Sequence, residues 1–113
     1  MNQPTKKPVI LVLLACYLPG YKSGGPVRTL ANMVDQLGDD FEFRIITRDR
    51  DMLDTSPYES VEVDQWNSVG KASVFYASPG RIDFSSLVRL INETYHDVLY
   101  LNSFFNFSFT ILP

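Results

Sequence analysis

The sequence is poor in the residues that bind metal ions and carry out nucleophilic or acid–base catalysis. Cys16 is the only cysteine among 113 residues, and His96 is the only histidine. One cysteine cannot form a disulfide within the chain, and one cysteine with one histidine cannot fill a structural zinc site. A single histidine also leaves no choice of base for a Ser-His-Asp triad. We interpret Cys16 as a small apolar residue and His96 as a solvated one.

The sequence also lacks an excess of positive charge. Ten Lys and Arg residues stand against thirteen Asp and Glu residues, which gives a net charge of −3 and a pI near 4.9. Domains that bind nucleic acid usually carry a basic patch and a high pI, so we exclude nucleic acid as a partner. The hydrophobic fraction, 45%, is ordinary for a globular protein and predicts a folded chain of one domain at most.

No apolar run reaches the roughly 20 residues that a membrane span requires. The run at residues 9–16 follows Lys6 and Lys7 and permits two interpretations. One is a short signal segment that ends at Cys16, and the other is a buried parallel strand. We favour the strand, because cleavage at Cys16 would leave the next helix without a strand to pack on. The protein is then expected to be cytoplasmic, with a reduced thiol.

Hydrophobic periodicity predicts an alternation of strands and helices. Strands are predicted at residues 8–17, 41–47, 71–77 and 97–101. Pro26 suits the first position of a helix whose end is marked by Gly38, and Asp83 suits the N-cap of a second helix. The buried face of the first helix is predicted to consist of Val27, Leu30, Val34 and Leu37. That of the second is predicted to consist of Leu87, Leu90, Ile91 and Tyr95.

This order predicts an α/β fold with a Rossmann-like, doubly wound parallel sheet.

Two parts of the sequence depart from this alternation of strands and helices. Residues 48–70 form a long connection, either a surface insertion anchored by Tyr58 and Trp66 or a binding segment. The Phe-rich residues 104–109 lead to Pro113, where a four-stranded sheet would leave apolar surface uncovered. We therefore predict that residues 1–113 are a truncated N-terminal domain of a longer protein. The phenylalanines would pack beneath its missing part or form an apolar rim for an acceptor.

The segment PGYKSGGP at residues 19–26 is the clearest candidate for a functional loop. In doubly wound folds ligands bind outside the carboxyl ends of the strands, where this loop would lie. Glycines let the backbone approach a ligand, a helix N-terminus favours phosphate, and Arg28 could add a fork of donors. Pro26 and Val27 replace the Lys-Ser/Thr pair of a P-loop, and the dinucleotide fingerprint is missing. A tight strand-to-helix turn without a ligand is the alternative.

Residues 17–28, YLPGYKSGGPVR, together with the amphipathic helix behind them, resemble the N-terminal domain of family 4 GT-B glycosyltransferases. The stretch DVLYLN at residues 97–102 resembles a later strand of the same family. The resemblance implies two Rossmann-like domains facing a cleft, with the donor-binding C-terminal domain absent from this chain. It implies a retaining transfer of sugar from a nucleotide-sugar donor to a glycan or lipid-linked acceptor, without a metal ion or other cofactor.

The resemblance also implies site residues. Gly24 and Gly25 would contact the donor diphosphate or sugar, and we add Arg28 beside them on physical grounds. Asn102 stands where the family often has a histidine; an amide binds a hydroxyl but exchanges no proton near neutral pH. Ser103 would be a further polar contact. A lipid-linked acceptor would bring the full-length protein into peripheral contact with the inner face of the membrane.

Two other functions are compatible with parts of the sequence. A Rossmann-like module could hold a nucleotide or phosphorylated ligand without catalysing a reaction. A receiver-like regulatory domain fits poorly, because the first strand ends in Ala15-Cys16-Tyr17 without an acidic pair. The fragment alone is expected to have no turnover, since most of the donor site would lie in the other domain.

Overall fold

The computed structural model describes residues 7–14, 17–20, 25–50, 55–81 and 84–102. Its elements are, in chain order, β1 (Val9–Leu14), α1 (Gly25–Leu37), β2 (Glu42–Arg48), β3 (Trp66–Val69), β4 (Ala72–Ala77), a 3-10 turn (Pro79–Arg81), α2 (Phe84–Glu93) and β5 (Val98–Asn102). The alternation of strands and helices confirms the predicted α/β class. The main error at an element end concerns β1, which was predicted to continue to Tyr17 but ends at Leu14.

All five strands form one sheet in the order β3-β4-β2-β1-β5. β4, β2, β1 and β5 run parallel, and β3 pairs with β4 in the antiparallel sense. From one side of the sheet to the other, the four parallel strands are therefore β4, β2, β1 and β5, so the first strand of the sequence lies between the second and the last. The connection that leaves β1 crosses towards β2, whereas the one that leaves β4 crosses the sheet to β5. This mostly parallel arrangement is compatible with a Rossmann-like fold.

The first face of the sheet is covered by α1. The predicted face of this helix is largely confirmed, because Val27, Leu30 and Val34 are buried, although Leu37 at its end is exposed. Their partners on the strands are Val12, Leu14, Phe43, Ile45, Ala72, Val74 and Tyr76. Each fully buried aliphatic side chain contributes about 1.5–3 kcal/mol, so this face supplies much of the stability of the domain.

The opposite face is covered by α2. Leu87 is fully buried, and Leu90 and Ile91 pack beside it, as predicted. Beneath them lie Leu11, Leu13, Ile46, Phe75 and Ala77. The two helices therefore lie on opposite faces, as right-handed connections require when they cross a sheet in opposite directions.

Gly38 follows the last residue of α1, as predicted, but the reason for a glycine differs from the one expected. Its backbone does not have a left-handed φ, whereas Gly70 has a φ of 59°. A Cβ at position 38 would lie 2.5 Å from the carbonyl oxygen of Val34 and 2.6 Å from the Cβ of Lys71. Close packing between the helix end and the start of β4 therefore requires glycine here.

The connection between β2 and β4 contains a strand that the sequence analysis missed. β3 pairs along its whole length with β4, from Trp66 opposite Phe75 to Val69 opposite Ala72. The prediction of a four-stranded, wholly parallel sheet is therefore wrong. Tyr58 and Val61, earlier in the connection, pack against the α1 face. The connection thus occupies the place of a crossover helix on that face.

One prediction near β5 is wrong. Tyr95 was placed on the buried face of the second helix, but α2 ends at Glu93 and Tyr95 is 64% exposed. At the end of α2 the Thr94 amide is shared between the carbonyls of Leu90 and Ile91, an arrangement common at helix termini. On β5, Val98 is 52% exposed and its neighbours Leu99 and Tyr100 are also exposed. Only its edge towards β1 is paired among the described strands.

In the described part of the chain, no helix has both the length and the apolar character needed to cross a membrane.

Candidate functional site

The strand order reverses between β1 and β5, and this places a candidate site at their carboxyl ends. The last register pair of these strands joins Leu14 to Asn102. β1 leads to α1, which lies on one face of the sheet, whereas α2, which precedes β5, lies on the other. Ligands of doubly wound sheets bind at such a point, in the crevice between connections that diverge to opposite faces.

The structure brings three of the five predicted site residues to this edge. Gly25 is the first residue of α1 and is exposed, and Arg28 is exposed three residues later in the first turn. Asn102 is the last residue of β5. Gly24 and Ser103 lie outside the described residues. A Cβ on Gly25 would meet nothing within 4 Å, so packing does not require a glycine there.

The first turn of α1 is electrostatically suited to an anion. The N-terminus of a helix carries unpaired N–H groups and the positive end of the helix dipole. No acidic residue occupies this turn, so no side chain of the turn itself neutralises that charge. Arg28 adds a full positive charge to the same turn. This part of α1 can therefore bind a phosphate or carboxylate group.

Two tyrosines from distant parts of the sequence hold residues 17–20 in place through hydrogen bonds. The Tyr76 hydroxyl of β4 donates a hydrogen bond to the carbonyl of Leu18, and the Tyr58 hydroxyl donates to the carbonyl of Tyr17 over 3.3 Å. The Gly20 amide closes a turn on the same Tyr17 carbonyl at 2.8 Å. The peptide bond between Leu18 and Pro19 is cis.

Tyr17, Tyr58 and Tyr76 lie close together beside this loop. We call them the tyrosine cluster. The rings of Tyr58 and Tyr76 meet edge to face with their centroids 5.8 Å apart. Burial raises the pKa of Tyr17, and burial together with the proximity of Tyr17 raises the pKa of Tyr76 to about 12. Both phenols therefore stay protonated at neutral pH, and the Tyr76 hydroxyl remains a hydrogen-bond donor.

The start of the long connection is tied to the same edge of the sheet. Asp49, directly after β2, is buried, and its carboxylate accepts two hydrogen bonds from Arg50, at 2.7 and 3.3 Å. The Asp49 amide donates to the Ala77 carbonyl, and the Asp49 carbonyl accepts from the Tyr58 amide. Arg50 also donates to the Thr55 carbonyl. This pair fixes the segment that delivers Tyr58 to the loop.

The end of the connection is fastened in a similar way. Asp64 has a φ of 59°, and its carboxylate accepts from both the amide and the hydroxyl of Ser78, at 2.9 and 2.8 Å. Trp66 follows and packs edge to face on Phe75, with centroids 5.4 Å apart. The predicted anchoring of an insertion by Tyr58 and Trp66 therefore has a structural basis. The sequence of this connection is polar and charged. It therefore did not indicate that the carboxylates of Asp49 and Asp64 would form hydrogen bonds within the fold.

Two further predictions concern single residues. His96 is half-buried rather than fully solvated, and its Nδ1 lies 2.8 Å from the Thr94 carbonyl oxygen. Cys16 lies outside the described residues, as do the phenylalanines of residues 104–109. Within the described ranges, no group of three His, Cys, Asp or Glu residues is arranged to hold a metal ion.

Comparisons with protein-family models, with curated proteins and with solved structures find no match for this chain. The candidate site is therefore defined by the strand order, the position of α1 and the tyrosine cluster.

Proposed function

We propose that the chain is a fragment of the N-terminal, acceptor-side domain of a family 4, GT-B type glycosyltransferase with a Rossmann-like, doubly wound sheet. The full-length enzyme would transfer a sugar from a nucleotide-sugar donor to a glycan or lipid-linked acceptor, with retention of configuration. The observation that carries the proposal is that residues 17–20, the α1 N-terminus and the end of β5 lie at one edge of the sheet, where the strand order reverses.

In this proposal the chain stabilises the leaving diphosphate. Negative charge develops on the diphosphate as its bond to the sugar breaks, and fixed N–H dipoles and cations lower the energy of that state. The first turn of α1, with Gly25 and Arg28, supplies both kinds of group. Gly24 would extend the backbone contact, and Asn102 and Ser103 would hydrogen-bond sugar or acceptor hydroxyls. This charge stabilisation is the reason to expect that the enzyme needs no metal ion.

The exposure of β5 supports the idea that this chain is part of a larger structure. β5 exposes successive apolar side chains, although strands of parallel sheets are normally covered on both faces. A further strand with its helices would cover them, and a donor-binding domain would complete the cleft. A cytoplasmic location, at the inner face of the membrane if the acceptor is lipid-linked, belongs to the same proposal.

The location of the donor contact can be tested on the 113-residue chain by titration with uridine diphosphate, followed by backbone amide NMR. We expect the largest shifts at Gly25–Arg28 and at Asn102, with weak, millimolar affinity. Arg28→Ala should weaken binding about fivefold to tenfold, because it removes one charge-assisted contact. Arg89→Ala is the matched control, since Arg89 is an exposed arginine on α2. Shifts elsewhere, or equal effects of the two substitutions, would contradict the proposed contact.

A further inference from the structure

Among the described residues, a cavity lies on the α2 face of the sheet, near the amino ends of the strands. α2 covers the part of this face where Leu87 packs on Phe75 and Ala77. The cavity measures about 340 Å³ and is lined by Glu42, Arg44, Trp66, Ser73, Glu93, Thr94 and Tyr95. This volume falls within the range of small-molecule sites. We call it the amino-edge cavity; it lies at the opposite edge of the sheet from the Gly-rich loop.

Two aromatic side chains border this cavity and are exposed. Trp66 is 40% exposed although it stands in a strand, and its contact with Phe75 fixes where the ring lies. Tyr95 lies just beyond the end of α2, and its hydroxyl donates to a carboxylate oxygen of Asp97 at 2.6 Å. Both rings are therefore held in position before any ligand arrives. An exposed aromatic ring at the border of a cavity offers a ligand a flat apolar face.

The polar groups of the cavity are also held in fixed positions. Arg44 donates from Nε to Glu42 Oε2 at 2.7 Å and from Nη1 to the Tyr95 carbonyl at 2.9 Å. The guanidinium thus links the start of β2 to the end of α2. The Glu42 carboxylate has lone pairs beyond the one that Arg44 uses, and Glu93 adds a second carboxylate. The result is a set of donors and acceptors around an aromatic border, within which hydrogen bonds orient the Glu42–Arg44 pair.

This chemistry selects among classes of ligand. An anion would face two carboxylates, and a purely apolar molecule would bury Arg44 and Glu42 without new partners. A cation would be attracted by the two carboxylates, but it could not bond to the guanidinium of Arg44. A neutral sugar ring can use every group: its C–H groups contact an aromatic ring, whose face carries negative charge, while its hydroxyls bond to the carboxylates and to Arg44.

We propose that the amino-edge cavity binds a pyranose unit of a neutral glycan, with Trp66 as the aromatic contact and the Glu42–Arg44 pair as the hydroxyl-binding group. The site is separate from the proposed donor contact and does not depend on the proposed glycosyltransferase activity. It would attach the protein to a polysaccharide without taking part in a reaction.

Trp66 is the only tryptophan of the chain, so its fluorescence reports directly on this cavity. The 113-residue chain is titrated with four neutral oligosaccharides: maltohexaose, cellohexaose, mannohexaose and xylohexaose. At least one should change the emission of Trp66 in a saturable way, with the same dissociation constant measured by calorimetry. The proposal is overturned if none of the four binds at millimolar concentration.

Variants then locate the binding. Trp66→Ala, followed by calorimetry, should weaken binding about tenfold, the loss expected for an aromatic contact of roughly 1.4 kcal/mol. Glu42→Gln keeps the shape of the side chain and should also weaken binding, which guards against a Trp66→Ala variant that fails to fold. Tyr100→Ala is the control, because Tyr100 is exposed to a similar degree on β5. Binding that is lost in Arg28→Ala but kept in Trp66→Ala and Glu42→Gln would place the sugar at the other edge and refute the assignment.

Discussion

Tyr76→Phe removes a single hydroxyl from beneath the loop that precedes the Gly-rich segment. That hydroxyl belongs to a fully buried residue and donates a hydrogen bond to the Leu18 carbonyl oxygen. A typical hydrogen bond contributes about 0.5–1.5 kcal/mol, and a partner left unsatisfied costs about 1–3 kcal/mol. Because Leu18 is partly exposed, water can reach part of this loop, and we expect a loss of about 1–2 kcal/mol. For a domain of this size the melting temperature should fall by roughly 5–10 °C.

The measurement is thermal unfolding by circular dichroism, combined with hydrogen exchange of the Gly20 amide. This amide donates to the Tyr17 carbonyl in the same loop, so its exchange should become faster when the loop loosens. Tyr100→Phe is the control. Because Tyr100 is exposed, loss of its hydroxyl should change the free energy of unfolding by less than about 0.5 kcal/mol. If Tyr76→Phe is as stable as this control and Gly20 exchanges at the wild-type rate, the tyrosine cluster does not hold the loop.

Three further predictions concern stability. The pKa of Tyr76 is raised from 10.0 to about 12 in the folded state, so its stabilising contribution is complete below pH 10 and is lost as the pH rises to about 12. Alkaline denaturation curves should show this loss of stability, and the loss should be smaller in Tyr76→Phe. Gly38→Ala should destabilise the domain by about 1–3 kcal/mol in urea titrations, whereas Gly80→Ala, where a Cβ meets nothing, should not. The buried Thr47 hydroxyl has no hydrogen-bond partner among the described residues, so Thr47→Val should leave stability unchanged or raise it by about 1 kcal/mol; a clear loss of stability would show that the hydroxyl has a partner.

The helices were predictable because their signals are local. Val27, Leu30 and Val34 recur at helical spacing and are buried, and Leu87 is buried on α2 for the same reason. Tyr95 continued the pattern in the sequence but not in the structure, because the turn at Thr94 ends the helix first. Periodicity shows which face of a helix is apolar, but it does not show where the last turn closes.

β3 was not predictable in the same way, because its stability depends on a distant partner. Trp66 and Val69 favour a strand, but Asn67 and Ser68 between them favour turns, so the four residues give no clear strand signal. It becomes a strand through pairing with β4 and through the contact between Trp66 and Phe75. The exposure of β5 agrees with the expectation that a sheet of this few strands leaves apolar surface uncovered.

The candidate site was predicted in part. The position of a Gly-rich segment between a first strand and a first helix indicated the carboxyl edge of the sheet, and Gly25 and Arg28 lie there. The support beneath the loop was missed, because Tyr58 and Tyr76 are far from Leu18 in the sequence and meet it only through the topology of the sheet. Side-chain to backbone hydrogen bonds over such separations leave no periodic signal.

The proposed glycosyltransferase activity is tested most directly by turnover of the longer, full-length protein that the proposal implies. The assay supplies UDP-glucose, UDP-galactose and GDP-mannose in turn and measures release of nucleoside diphosphate together with the anomeric configuration of the transferred sugar. The account predicts release from at least one donor, retention of configuration, and a strong decrease in rate for Arg28→Ala but not for Arg89→Ala. A full-length protein that binds these nucleotides at the α1 N-terminus without any turnover would contradict the account and identify a nucleotide-binding module instead.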